Sequence, residues 1–271
     1  MSTAKDLLAE LFSRTRAENR AALIGYLPAG YPDIPGSAAL FDTIVDSGCD
    51  AVEVGLPFSD PVLDGPVICS AQRASLAAGW RTRDVFPLVE RVAARGAVPI
   101  VMSYVNPLLA YGLDAFARDL AAAGGAGVII PDLIVDEADE WCAATAAHGI
   151  DPIFLVAPSS PADRIALTTA ACRGFVYASS VMGTTGARDT VSHDAPDLVA
   201  RCRQHTDLPI GVGLGVRTRA QAAEIASFAD AVIVGSALVT AADGGQARLG
   251  TLVAELAAGV REPSGPREVR V

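Results

Sequence analysis

The sequence predicts a (β/α)8 TIM barrel, a single-domain α/β fold with an extra N-terminal helix. Three observations predict it. Eight short, β-rich apolar runs follow one another along 271 residues, segments of helical period lie between them, and the strand–loop–helix–loop unit recurs roughly every 25–30 residues. Most of the runs are continuous rather than alternating, as expected of strands covered on both faces in a parallel sheet. A doubly wound open sheet shares this alternation, but the count of eight and the lack of a glycine-rich turn after the first run favour a barrel.

The elements follow in order. Leu7, Leu8, Leu11 and Phe12 stand at helical spacing and predict an amphipathic helix ahead of the first strand. The strand runs are ALIGYL (22–27), DAVEVGL (50–56), VPIVMSY (98–104), GAGVIIPD (125–132), DPIFLVAP (151–158), GFVYASS (174–180), LPIGVGLG (208–215) and DAVIVGS (230–236). The second unit is long, because GPVICSAQRASLAAG adds a helix before DVFPLVERVAARG. GLDAFARDLAAAGG ends the third unit in a glycine pair. IVDEADEWCAATAAHG has acids in its first turn and His148-Gly149 at its end, the charge order a helix dipole favours. In SSPADRIALTTAA, Ser160 is placed as an N-cap with Pro161 at the first helical position. VRTRAQAAEIASFAD supplies the helix after the seventh run. No linker divides the chain; the barrel is expected over residues 1–260, with 261–271 as a flexible tail.

Composition narrows the function. Half the residues are hydrophobic and the net charge is −10, which disfavours nucleic acid and anionic membranes as partners. Cys49, Cys69, Cys142, Cys172 and Cys202 are odd in number and form no CxxC pair, which suits a reducing cytoplasm rather than a disulfide framework. His148, His193 and His205 also lack ligand spacing, so no metal site is expected. The N-terminus carries acids and lacks an apolar segment of signal-peptide length, and no run reaches the ~20 apolar residues of a membrane span.

In a barrel, the site lies on the loops after the strands. EVGLPFSDPVLDGP (53–66) sets a carboxylate inside an apolar strand and follows it with a proline-rich loop bearing Asp60 and Asp64. Glu53 shares its face with Ala51 and Gly55, which leaves room beside it. Its structural alternative is an ion pair across the sheet, yet none of the other seven runs contains a Lys or Arg. A carboxyl so placed has a raised pKa and suits proton transfer. Asp60 and Asp64 are ordinary turn residues taken singly, but both stand on the site side of the strand. Spacing does not decide which of them reaches a ligand.

Late in the chain, VMGTTGAR (181–188) follows the sixth strand, GLG (213–215) ends the seventh, and GSALV (235–239) opens a short helix after the eighth. Small residues let the backbone approach an anion, and barrels often hold phosphate after the seventh and eighth strands. Neither a Walker loop nor a dinucleotide fingerprint appears. Tyr26, Met102, Tyr104, Ile129, Leu155, Tyr177 and Leu214 near the strand ends are core fillers by default and would also suit a flat apolar substrate group.

These stretches resemble the α-subunit family of tryptophan synthase from about Leu23 to Gly259. EVGLPFSDPVLDGP is the most specific match, and YLPAGYPD (26–33), YVNPLLAYG (104–112), PDL (131–133), GTTGAR (183–188) and GLG…GSALV follow in the family's order. The resemblance implies a cofactor-free carbon–carbon lyase in tryptophan biosynthesis, cleaving indole-3-glycerol phosphate to indole and glyceraldehyde 3-phosphate. It makes Glu53 the general acid/base and Asp64 the carboxylate that meets the indole N–H. Asp60 and Thr185 become a loop-closing pair, and Gly186, Gly215, Gly235 and Ser236 bind phosphate. Tyr26, Met102, Ile129, Leu155 and Leu214 would line the indole pocket, with Tyr177 near Glu53. The partner implied is a β subunit in an αββα heterotetramer, with PLP only on that β subunit. Pro28, Leu214 and the Val62-Leu63 pair depart from the family's commoner residues without removing a catalytic group. The same catalytic residues would serve a stand-alone lyase that releases free indole. A non-catalytic allosteric subunit is the reading that Glu53 and Asp64 oppose.

Overall fold

The computed structural model describes residues 6–179, 194–213 and 215–262. Its centre is one all-parallel sheet of nine strand segments: β1 (Ala22–Pro28), β2 (Ala51–Gly55), β3 (Val98–Met102), β4 (Gly127–Ile129), β5 (Asp151–Ile153), β6 (Leu155–Val156), β7 (Val176–Ser179), β8 (Ile210–Gly213) and β9 (Ala231–Val234). The hydrogen-bonded order is β5-β4-β3-β2-β1-β9-β8-β7-β6. The two ends of that order, β5 and β6, are consecutive in the chain, so the sheet closes on itself as a barrel.

Eight runs thus become nine segments because the fifth is divided at Phe154. The Phe154 N–H leaves the ladder for Cys172 Sγ at 3.4 Å, while the Phe154 carbonyl accepts Tyr177 N–H at 3.2 Å. The residues before the break pair with β4 and those after it with β7.

Alternation along the strands sorts side chains into two layers. Ala22, Ile24, Ala51, Ile100, Ile129, Ile153, Ala231 and Ile233 form an inner cluster, joined at one end by Leu8, Leu11 and Phe12. These last three come from the helix Leu7–Ala17, begun by Asp6, whose carboxylate accepts Ala9 N–H at 2.9 Å. The predicted N-terminal helix therefore plugs the barrel, with the Phe12 ring 5.8 Å from that of Phe175. Val52, Val54, Val101, Val128, Val176, Val212 and Val232 point outward into a second, larger cluster beneath the helices. Burial on both faces is why the runs read as continuous.

The helices predicted after the second, third, fourth and seventh runs are Pro66–Ala77, Val85–Ala94, Leu113–Ala122, Asp139–His148 and Arg219–Ala226. Gly149 ends one of them in a left-handed conformation (φ 69°). The cap after the fifth run differs from the expectation by one residue. Pro161 is the N-cap of Ala162–Ala171, in extended conformation. Ser160 Oγ instead accepts Ala157 N–H at 3.1 Å and closes the preceding turn. With its hydroxyl committed to that turn, Ser160 caps no helical N–H, and the helix begins only after the extended Pro161.

Candidate active site

Glu53 lies in register between Tyr26 on β1 and Ile100 on β3, on the face that Ala51 turns into the barrel. It is 1% exposed, and its Oε1 has no hydrogen-bond partner among the described residues. Burial pushes its carboxyl up to about 8, because the anion has lost its water and gains no cation among the described residues. Below that pH the group holds a proton inside an apolar barrel.

Room beside the carboxyl comes from small residues on the inner face. A Cβ on Gly55 would stand 2.4 Å from the Tyr26 ring, and one on Gly213 would stand as close to Tyr177 Oη. Both rings thus occupy space that only glycine leaves open. The phenols of Tyr26 and Tyr177 are pushed well above their ordinary range by burial and by the two carboxylates, Glu53 and Asp64. Both acids therefore act on one shared volume.

Asp64 enters from the loop after β2 and is 6% exposed. Its Oδ2 accepts Gln72 Nε2–H at 2.9 Å and Tyr104 Oη–H at 3.0 Å. Burial raises its carboxyl, and these two donors pull it back down. Tyr104 Oη also accepts Leu63 N–H at 3.0 Å, and its ring lies 5.4 Å from that of Phe58. Asp60, by contrast, is exposed and bonded to Ser59 Oγ at 2.6 Å. Structure thus separates the two loop acids that spacing left level.

Met102 pairs with Ile129, and Leu155 with Tyr177, across adjoining strands. Met102, Leu155 and Tyr177 are partly exposed, whereas Ile24, Ile100 and Ile153 deeper in the barrel are not. That gradient marks the C-terminal end of the strands as the open mouth of the pocket. Tyr104, expected among the apolar lining, also commits its hydroxyl to Asp64.

Gly215 follows β8 with φ 67°, a turn that favours glycine. Gly235 and Ser236 follow β9, its neighbour in the sheet, and open the helix Ser236–Ala242. A Cβ on Gly235 would be 3.5 Å from Tyr26 Cδ1, which sets this end beside the same mouth. Thr185, Gly186 and Leu214 lie outside the described residues. Gln72 escaped sequence reasoning; the signal available was a polar residue on the apolar face of Pro66–Ala77, where Ile68, Ala71 and Ser75 are also buried.

The family model for the tryptophan synthase alpha chain matches residues 12–262. The tryptophan synthase alpha chain of Mycobacterium marinum is 60% identical over 259 residues, covering 96% of this chain and 96% of that relative. The one from Nocardia farcinica is 61% identical over 254 residues, covering 94% and 96%. Among solved structures, Mycobacterium tuberculosis tryptophan synthase in space group F222 superposes with a TM-score of 0.91 at 59% identity, over 94% of this chain and 98% of that one.

Proposed function

The chain belongs to the tryptophan synthase alpha chain family, and from that premise we propose that Glu53 and Asp64 perform its lyase reaction. The reaction is retro-aldol cleavage of indole-3-glycerol phosphate to indole and glyceraldehyde 3-phosphate. The bond that breaks joins indole C3 to the carbon bearing the first glycerol hydroxyl. Cleavage needs a proton on C3 and the removal of one from that hydroxyl.

Glu53 starts protonated, since burial holds its carboxyl near 8. It gives the proton to C3, which places positive charge on the ring nitrogen. Asp64, ionised, accepts a hydrogen bond from that N–H and stabilises the charge where it develops. The carboxylate of Glu53 then takes the hydroxyl proton, the carbonyl forms, and the electron pair of the breaking bond restores the aromatic ring. Glu53 ends as it began, so one group serves as acid and then base. Tyr26, Met102, Ile129, Leu155, Tyr177 and Leu214 are assigned to the indole ring. Gly186, Gly215, Gly235 and Ser236 are assigned to the phosphate through backbone amides, with Asp60 and Thr185 closing the loops.

The observation that supports this reading is the buried carboxyl of Glu53, unpaired at Oε1 among the described residues, beside a tethered Asp64. Glu53→Gln should abolish indole release and leave binding of a phosphate-bearing substrate analogue intact. A Gln variant that still cleaves would remove Glu53 from the reaction.

The substrate is accompanied by a tryptophan synthase β subunit as partner; the finer reading is an αββα assembly with PLP confined to β. Val62, Leu109 and Ile134 support a protein surface there, because these exposed apolar side chains follow β2, β3 and β4 at the mouth end of the barrel. Sedimentation of the chain mixed with a β subunit tests the stoichiometry.

A further inference from the structure

The carboxamide of Gln72 joins three parts of the chain. Its Oε1 accepts Phe58 N–H at 3.2 Å, where the acidic loop begins. Its Nε2 donates to Asp64 Oδ2 at 2.9 Å, where the loop ends, and to Tyr26 Oη at 3.4 Å on β1. The residue is 2% exposed, so little water competes for these bonds. Only one orientation of the amide satisfies them. Turned over, it would set its carbonyl against a carboxylate and its NH2 against the Phe58 N–H.

The middle of the loop is free by comparison. Ser59, Asp60 and Val62 are exposed between two points that one amide pins. Among the described residues, both donors to the Asp64 carboxylate converge on Oδ2. That leaves Oδ1 to meet a substrate N–H.

We propose that Gln72 is a positioning residue for the lyase reaction: it fixes the direction of Asp64, keeps that carboxylate ionised, and anchors both ends of the loop bearing it. The inference rests on the role given to Asp64 above. A hydrogen bond to the charged form of an acid lowers its pKa, so losing Gln72 raises that of Asp64 in a site already desolvated. Gln72 is placed to act through Asp64, without touching the substrate.

The experiment compares pH profiles of kcat/KM for wild type, Gln72→Met and Gln72→Glu with indole-3-glycerol phosphate. Methionine keeps the length and volume of the side chain without its hydrogen bonds. The expected result is a loss of about tenfold or more in kcat/KM, mostly in kcat, from one bond to a charged group. The acid limb should move to higher pH while the alkaline limb, set by Glu53, stays in place. Substrate phosphate titrates identically with every variant and cancels from the comparison. Gln72→Glu is isosteric and serves if methionine disturbs folding; its own charge beside Asp64 should move the acid limb further in the same direction. A uniform loss with no movement of that limb would mean a packing role only and overturns the proposal, as does wild-type behaviour in both variants. Failure of the parent reading looks different: Glu53→Gln would then retain cleavage.

Discussion

The ring of Tyr26 rests on the bare backbone of Gly55, with Cε2, Cζ and Oη all within 2.6 Å of where a Cβ would stand. Neighbouring strands thus meet at one point through a large and a vanishing side chain, and Glu53 sits two residues before that glycine on the same face. Gly55→Ala must push the ring away, towards Gln72 or into the pocket. We expect a stability loss of about 1–3 kcal/mol from overpacking and a clear fall in kcat/KM. A double-mutant cycle with Tyr26→Ala checks the cause. The second change should restore part of the stability that the first removes; strictly additive losses would locate the damage elsewhere.

The two carboxyls predict a bell-shaped pH dependence of kcat/KM in the free enzyme. Glu53 must begin protonated, so activity falls as pH rises through about 8. Asp64 must be ionised, so activity also falls as pH drops through its pKa, which burial holds above the ordinary aspartate value. Tyr104→Phe removes one of the two donors to Asp64 and should move the acid limb upward while leaving the alkaline limb alone. A shift of the alkaline limb instead would assign the roles the other way round.

How far the sequence reached depends on the distance over which each signal acts. The barrel was legible because every strand writes its own burial on both faces, from ALIGYL to DAVIVGS. Glu53 was legible because it is a charge in such a run with no cation in any other run. Asp64 and Asp60 were not separable by spacing, since both follow the strand within one loop; only the resemblance distinguished them. The difference lies in burial beneath Tyr104 and Gln72, which arrive from other parts of the chain. Gln72 itself reads as one more residue of an amphipathic helix, because its three partners, Tyr26, Phe58 and Asp64, meet only after folding. The break at Phe154 was hidden for the same reason: Cys172, which takes the Phe154 N–H, is supplied by the chain beyond the next helix.

Glu53 should also leave a signature in stability. Its carboxyl rises from 4.5 to about 8 on folding, so the native chain keeps a proton that the unfolded chain releases between those values. The stabilisation is complete below the unfolded pKa and is lost as pH rises through the folded one. By pH 8 the loss is on the order of 4 kcal/mol. Glu53→Gln has no such group. Urea unfolding between pH 5 and 8 should show the variant gaining on wild type as pH rises, and parallel curves would mean that the carboxyl is not desolvated as described.

At the opposite end of the barrel, stability should separate from catalysis. Arg20 and Asp50 precede β1 and β2 and form a buried, two-pronged ion pair, with Nη1–Oδ2 at 2.7 Å and Nη2–Oδ1 at 2.8 Å. Asp50 Oδ2 also accepts Leu23 N–H at 3.0 Å, so the pair ties the first strand to the second beside the N-terminal plug. Arg20→Met would leave the buried Asp50 carboxylate only the half-exposed Arg14, whose Nη2 lies 3.5 Å from Oδ1, and should cost about 3 kcal/mol. Adding Asp50→Asn removes the under-compensated charge and keeps an acceptor for the Leu23 N–H, so the double variant should recover much of that loss. Neither change reaches the mouth of the barrel, and kcat at a temperature where both variants are folded should match wild type. A variant whose kcat falls in step with its urea midpoint would show instead that the base of the barrel and its mouth are coupled.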